Sequence, residues 1–222
     1  MMKRTKLADR SLPVYSVGEE IANTATHLLG GVLGVVALTL CVLRAADRGG
    51  IPEITGAALY GGCLVLLYSI SSVYHGLRPG MAKKVLQVLD HCAIYFLIAG
   101  SYSVVCLGVI RRASPMIGWG ILALEWVLCI IATVLTAIDL KCYKVFSMIC
   151  YIAMGWAIIP LAAMLLDIMT PGGFWLLLAG GISYTVGAVL YAIPRKWLHS
   201  VFHVFVVLGS VLQFFAFYCY GI

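Results

Sequence analysis

Polar residues come in short bursts along this chain, and between the bursts the sequence stays apolar for about twenty residues at a time. That length is what a helix needs to cross a bilayer. Marking charges and Pro/Gly breaks predicts seven such helices, Ile21–Leu43, Ile54–Tyr74, Val85–Ile110, Met116–Ile138, Val145–Leu166, Phe174–Ile193 and Trp197–Tyr220. The joints between them are short: "RAADRGGIPE", "GLRPGMAKK", "RRASP", "DLKCYK", "DIMTPGG" and "PRK". The runs are continuous rather than alternating, which excludes a β-barrel, and no joint is long enough for a soluble domain. The expected fold is therefore an all-α integral membrane protein, a seven-transmembrane helix bundle. Residues 1–18 form a short tail and residues 19–222 a single transmembrane domain. The first dozen residues read as loose. They precede a run of span length rather than a short apolar core with a small-residue cleavage site, so a cleaved signal peptide is not expected.

Composition strengthens this picture. Hydrophobic residues make up 63% of the 222 and charged residues 11%, against roughly 25% charged in soluble domains. A soluble fold of this size cannot hide so much apolar surface. The net charge of +6 has an ordinary source in loops that face anionic headgroups, so no nucleic-acid partner is inferred. Basic residues favour the cytoplasmic side of short loops. Assigning tail and loops alternately puts eleven of the fifteen Lys and Arg on the amino-terminal side. The expected topology has the amino terminus in the cytoplasm and the carboxyl terminus outside, opposite to G-protein-coupled receptors. The expected location is a plasma membrane, crossed many times.

Eight cysteines are scattered with no CxxC, which reads as apolar packing rather than disulfides or metal thiolates. Glycines at helical spacing, Gly30 and Gly34 in "LLGGVLG" and those of "AGGISYTVG", are expected to let helices approach closely in lipid.

Ionisable residues inside spans are costly and default to functional candidates. His199 and His203 share a helix face at i and i+4, three and seven residues past Lys196. His75 lies in the last turn of the second span and Asp90 six residues past Lys84. Asp90 and His203 each fall on the order of 10 Å inside the basic boundary, so the group shares one depth. Three imidazoles with one open position describe a catalytic zinc site. His75, His199 and His203 are the candidate Zn²⁺ ligands. Asp90 is the candidate general base, and Ser71, one turn before His75, is placed to orient water or a carbonyl. Glu20, Asn23 and His27 share a face and read mainly as structural. His91 points about 100° away from Asp90 and reads as packing or interfacial. Glu125 in "LALEWVL" has no sequence partner.

These residues carry a resemblance. "EEIANTATHLLG", "SISSVYHGLRP", "LDHCAIYFLIAGSYS" and "HSVFH" occur in the order seen in the hemolysin III family, related to the progestin and adipoQ receptors that include the adiponectin receptors. The match runs from Glu19 onward. It implies seven helices with a cytoplasmic amino terminus, zinc held by His75, His199 and His203, and Asp90 and Ser71 nearby. It also implies kinship with intramembrane metal hydrolases such as alkaline ceramidases. The expected function is hydrolysis of an amide or ester bond of a membrane lipid. A zinc-containing sensor of membrane state without catalysis is the alternative. A lytic pore fits least, since pores repeat polar residues through the membrane depth.

Overall fold

The computed structural model describes residues 5–222. Lys3 and Arg4, counted above in the basic tail, lie outside them. Seven helices form the body: α1 Val17–Arg48, α2 Ile51–Gly76, α3 Met81–Val105, α4 Pro115–Ile138, α5 Lys144–Trp156, α6 Ala162–Ala192 and α7 Leu198–Ala216. No strand occurs among the described residues. A π turn, Cys106–Ile110, and one helical turn, Arg111–Ala113, prolong α3.

Local chemistry sets the ends. Ser16 accepts the Glu19 N–H at the start of α1, and the Glu19 carboxylate accepts the Ser16 N–H in return at 2.9 Å, a reciprocal cap. Glu53 reaches back to the Gly50 N–H at 2.8 Å at the start of α2, whose second residue is Pro52. Pro115 opens α4.

Six helical runs are long and apolar enough to cross a membrane. The difference from the expected seven lies in one run of 49 residues, Lys144–Ala192. The joint "DIMTPGG" is not a loop here. Helix continues on both sides of Thr170, whose φ of 61° lies in the left-handed region, and Pro171 follows immediately. The fifth expected span is also broken, at Ala157–Leu161, where Pro160 sits in a 3-10 turn. Proline removes one ladder N–H and clashes with the preceding turn, and both breaks stand at a proline.

The helices turn apolar side chains outward. Leu28, Leu29, Val32 and Val35 of α1 are exposed, as are Val127, Ile130, Ile131 and Val134 of α4. Such faces need lipid. α3 is the central element, packed against α2, α4 and α5, and α7 closes the bundle against α1 and α6. Glycines fill the closest approaches. A Cβ on Gly30 would lie 2.6 Å from the Tyr68 ring, and one on Gly209 would lie 2.8 Å from that of Tyr184. The eight cysteines are all free.

One polar hub fixes the height of α7. Ser210 Oγ lies 2.6 Å from Tyr68 Oη of α2 and 2.8 Å from Tyr184 Oη of α6, and Tyr60 Oη donates to the Ser210 carbonyl at 3.2 Å. α2 and α7 run in opposite directions. Tyr68 is two turns before His75, and Ser210 two turns after His203. Pairing Tyr68 with Ser210 therefore brings the histidines level.

Candidate metal centre

The three expected histidines meet. His199 Nε2 stands 3.2 Å from His75 Nε2 and 3.1 Å from His203 Nε2. Three ligand nitrogens, one from each ring, lie within 4.8 Å of one another. His75 and His203 are buried and His199 is partly so.

The opposite side of each ring explains why the nitrogens converge. His75 Nδ1 lies 2.6 Å from Glu20 Oε2. A carboxylate only accepts, so Nδ1 carries the proton and Nε2 is left with its lone pair. His203 Nδ1 faces the Asn23 carbonyl at 3.3 Å and the Thr26 hydroxyl at 3.5 Å, which again leaves Nε2 bare. His199 Nε2 sits between two lone pairs and can give its single proton to one of them. A cation satisfies all three nitrogens at once. The donor set fits a metal ion, and carbonyl or carboxylate partners behind the ligands are the usual support for such imidazoles.

That support comes mostly from α1. Glu20, Asn23 and His27, read from the sequence mainly as structural, all adjoin the cluster. The Glu20 carboxylate also accepts Lys83 Nζ at 2.6 Å. Lys83 is buried in the first turn of α3 and also donates to the carbonyls of Leu77 and His75. Counted above as a loop charge, it is an internal partner. Asn23 Oδ1 accepts the Ser200 hydroxyl at 2.6 Å. His27 stacks on His203 with centroids 3.6 Å apart and an interplanar angle of 9°. Both of its ring nitrogens are buried without a partner among the described residues.

Asp90 and Ser71 open onto a cavity of about 150 Å³ together with His27, His91, His199 and His203. The rest of its wall is largely apolar, from Leu67, Ile94, Leu97 and Ile98 to Phe202 and Val206. Ser71 Oγ is buried beside the Asp90 carboxyl. His91 is held by the Gln87 carbonyl at 2.8 Å and Tyr191 Oη at 3.2 Å. Glu125 is fully buried, far from this group in sequence and outside the cavity wall, and its carboxylate has no hydrogen-bond partner among the described residues.

Sequence reasoning missed Tyr15, Lys83 and Ser200. Ser200 carried a signal, since it lies between the two histidines of HSVFH. Tyr15 carried none, because it precedes the first helix and meets the site only in three dimensions. Its ring stacks on His199 with centroids 4.9 Å apart. Burial pushes its phenol pKa above the ordinary value, helped by the neighbouring Tyr191, Glu20 and Asp90.

The family model for haemolysin-III-related proteins matches residues 15–214. The chain belongs to that family. Among its relatives, hemolysin-3 of Bacillus cereus is 38% identical over 200 residues, covering 90% of each chain. A hemolysin-3 homolog of Bacillus subtilis (strain 168) is 34% identical over 209 residues, covering 93% of this chain and 97% of its own. Family membership and six long apolar helices make this a multi-pass bacterial membrane protein, with the inner membrane as its expected location. The matched region of this hemolysin III family member begins at Tyr15 and includes every residue of the imidazole cluster.

Proposed function

We propose that the chain is a zinc-dependent hydrolase of an amide or ester bond in a membrane lipid. The observation that carries this reading is the convergence of three Nε2 atoms at 3.1 and 3.2 Å beside an apolar cavity. Tetrahedral zinc with Zn–N of 2.0–2.1 Å spaces its nitrogens by about 3.3 Å. His75, His199 and His203 would hold the ion, which when bound supplies a Lewis acid that polarises a carbonyl and acidifies water. Asp90 takes the proton of the attacking water as the C–O bond forms. It then returns that proton to the departing amine or alkoxide as the acyl bond breaks. Ser71, beside Asp90, orients the water or the carbonyl through its hydroxyl. Glu20, Asn23 and Thr26 hold two of the imidazoles by their far nitrogens, and the cavity wall holds the acyl chain.

The same reading takes Lys144–Ala192 as two crossings hinged at Thr170. At 1.5 Å per residue a straight helix of that length would be about 74 Å, more than twice the bilayer core. The count is then seven spans, with the amino terminus in the cytoplasm and the carboxyl terminus outside, as the distribution of Lys and Arg favours. The membrane lipid is the substrate partner, and no nucleic acid takes part.

The test is turnover of defined lipids by purified protein. Chelation should abolish it, and Asp90→Asn should remove turnover while zinc stays bound. Activity that survives in a His75→Ala, His203→Ala double variant rejects the proposal. A zinc-loaded protein that turns over no lipid class would favour the sensor reading instead.

A further inference from the structure

We infer that Tyr15, held by the segment Thr5–Ser16, roofs the imidazole cluster on its water-facing side, so that the site draws its substrate from the membrane-side cavity and refuses water-soluble esters. This rests on reading the three imidazoles as metal ligands and specifies how that site is reached.

The observations are independent of one another. The Tyr15 ring lies 4.9 Å from that of His199, near-parallel at 30°, and 5.7 Å from that of His75. No residue of the amino-terminal segment lines the cavity that holds Asp90 and Ser71. His199 therefore has the cavity on one side and the phenol ring on the other. The segment that carries the ring is tied at both ends rather than loose. Its near end is the reciprocal cap of α1 at Ser16. Its far end gives the Thr5 N–H to Asp139 Oδ2 at 2.7 Å and Arg10 Nη2 to the Ile138 carbonyl at 2.9 Å, both at the end of α4. Between them Lys84 Nζ donates to the Ala8 carbonyl. The path thus runs from α4 past the start of α3 to α1, across the end of the bundle where the histidines lie.

Polar ties rather than a continuous apolar face hold the segment. Val14, next to Tyr15, is 98% exposed, while Arg10 is buried and Leu7, Leu12 and Tyr15 are half-buried, and of these it is the ring of Tyr15 that meets the imidazoles. A small polar solute arriving from water must displace that ring. A lipid entering along the cavity need not.

The purified full-length protein is loaded with Co²⁺, and loss of the metal to excess EDTA is followed by its visible absorbance. Tyr15→Ala should speed the loss about tenfold, the change expected when a closed state loses one aromatic contact. Asp139→Ala, which frees the far end of the segment, should speed it less. Tyr15→Phe keeps the ring and should match the unchanged protein. Equal rates in the unchanged protein and Tyr15→Ala would overturn the roof. Failure of the unchanged protein to take up Co²⁺ would instead overturn the metal reading. A readout without metal separates the two. In a Cys142→Ser, Cys219→Ser background, His199→Cys should react slowly with a membrane-impermeant maleimide and faster once Tyr15→Ala is added. Indifference of that rate to Tyr15 also overturns the inference.

Discussion

Helix α2 carries a charged cluster at each end. At its start Glu53 is buried, and both carboxylate oxygens are used. One accepts the Gly50 N–H, and the other takes Arg111 Nη2 at 3.0 Å and Arg112 at 2.9 Å. At its end, about 33 Å away along the axis, Glu20 joins His75 and Lys83. The first cluster closes on itself and takes no part in the wall of the cavity that holds Asp90 and Ser71. The second leaves His199 Nδ1 and both nitrogens of His27 buried without partners among the described residues. An unsatisfied buried polar atom costs about 1–3 kcal/mol. A fold keeps several such atoms together where a ligand completes them. The contrast separates a structural use of charge from a chemical one, although the residue types are nearly the same.

The largest expected effect strikes the second end alone. His75→Ala or His203→Ala should reduce bound metal, measured by elemental analysis, from about one per chain to background. Arg111→Ala, at the first end, should leave it unchanged. Metal retained by either histidine variant would erase the distinction. Next comes Asp90→Asn, which should keep the metal and lower lipid turnover by about 10²–10⁴-fold, the usual worth of a positioned general base. Smaller again is the pair Glu20→Gln and Glu53→Gln. The first should weaken metal binding about 10–100-fold, read by competition with a chelator. The second should leave affinity alone and lower thermal stability by about 1–2 kcal/mol, because its two arginines keep some contact with solvent. Matching effects on affinity would show that the two carboxylates play the same part.

The weakest effect concerns the tail and comes with a pH dependence. The N–H of Thr5 first, then those of Cys142 and Lys141, hold the Asp139 carboxyl below its usual range. A group depressed in the folded state contributes stability above its unfolded value of about 3.9 and loses it as pH falls through the folded one. Attachment of the segment should therefore persist at neutral pH and fail only in strong acid. Hydrogen exchange at the Thr5 amide would report it. Release already at pH 6 would mean that Asp139 is not the anchor.

Much of this was legible in the sequence, for identifiable reasons. HSVFH, His75 and Asp90 stood out because titratable groups in apolar runs are rare, and their common depth followed from 1.5 Å per residue. The convergence itself is set by the Tyr68–Ser210 pairing, which no local pattern announces. Lys83 looked like a loop charge because only the fold brings it to Glu20. The joint at Thr170 looked like a loop because Thr-Pro-Gly-Gly ends most helices, whereas here Pro171 starts the next arm, the position it tolerates best. Tyr15 had no periodicity to betray it.

Glu19 has a final bearing on how the protein is made. Its carboxylate caps the first helix and also accepts the N–H of Trp197 at 2.7 Å, where the last helix begins. Asn23, one turn on, waits for Ser200 and His203. Glu20 of the same stripe meets His75 and Lys83 as soon as α2 and α3 are in place, but these bonds of Glu19 and Asn23 form only once α7 has been inserted. A nascent chain halted before Trp197 would carry Glu19 and Asn23 without those late partners, and polar groups left unpaired at that depth are costly.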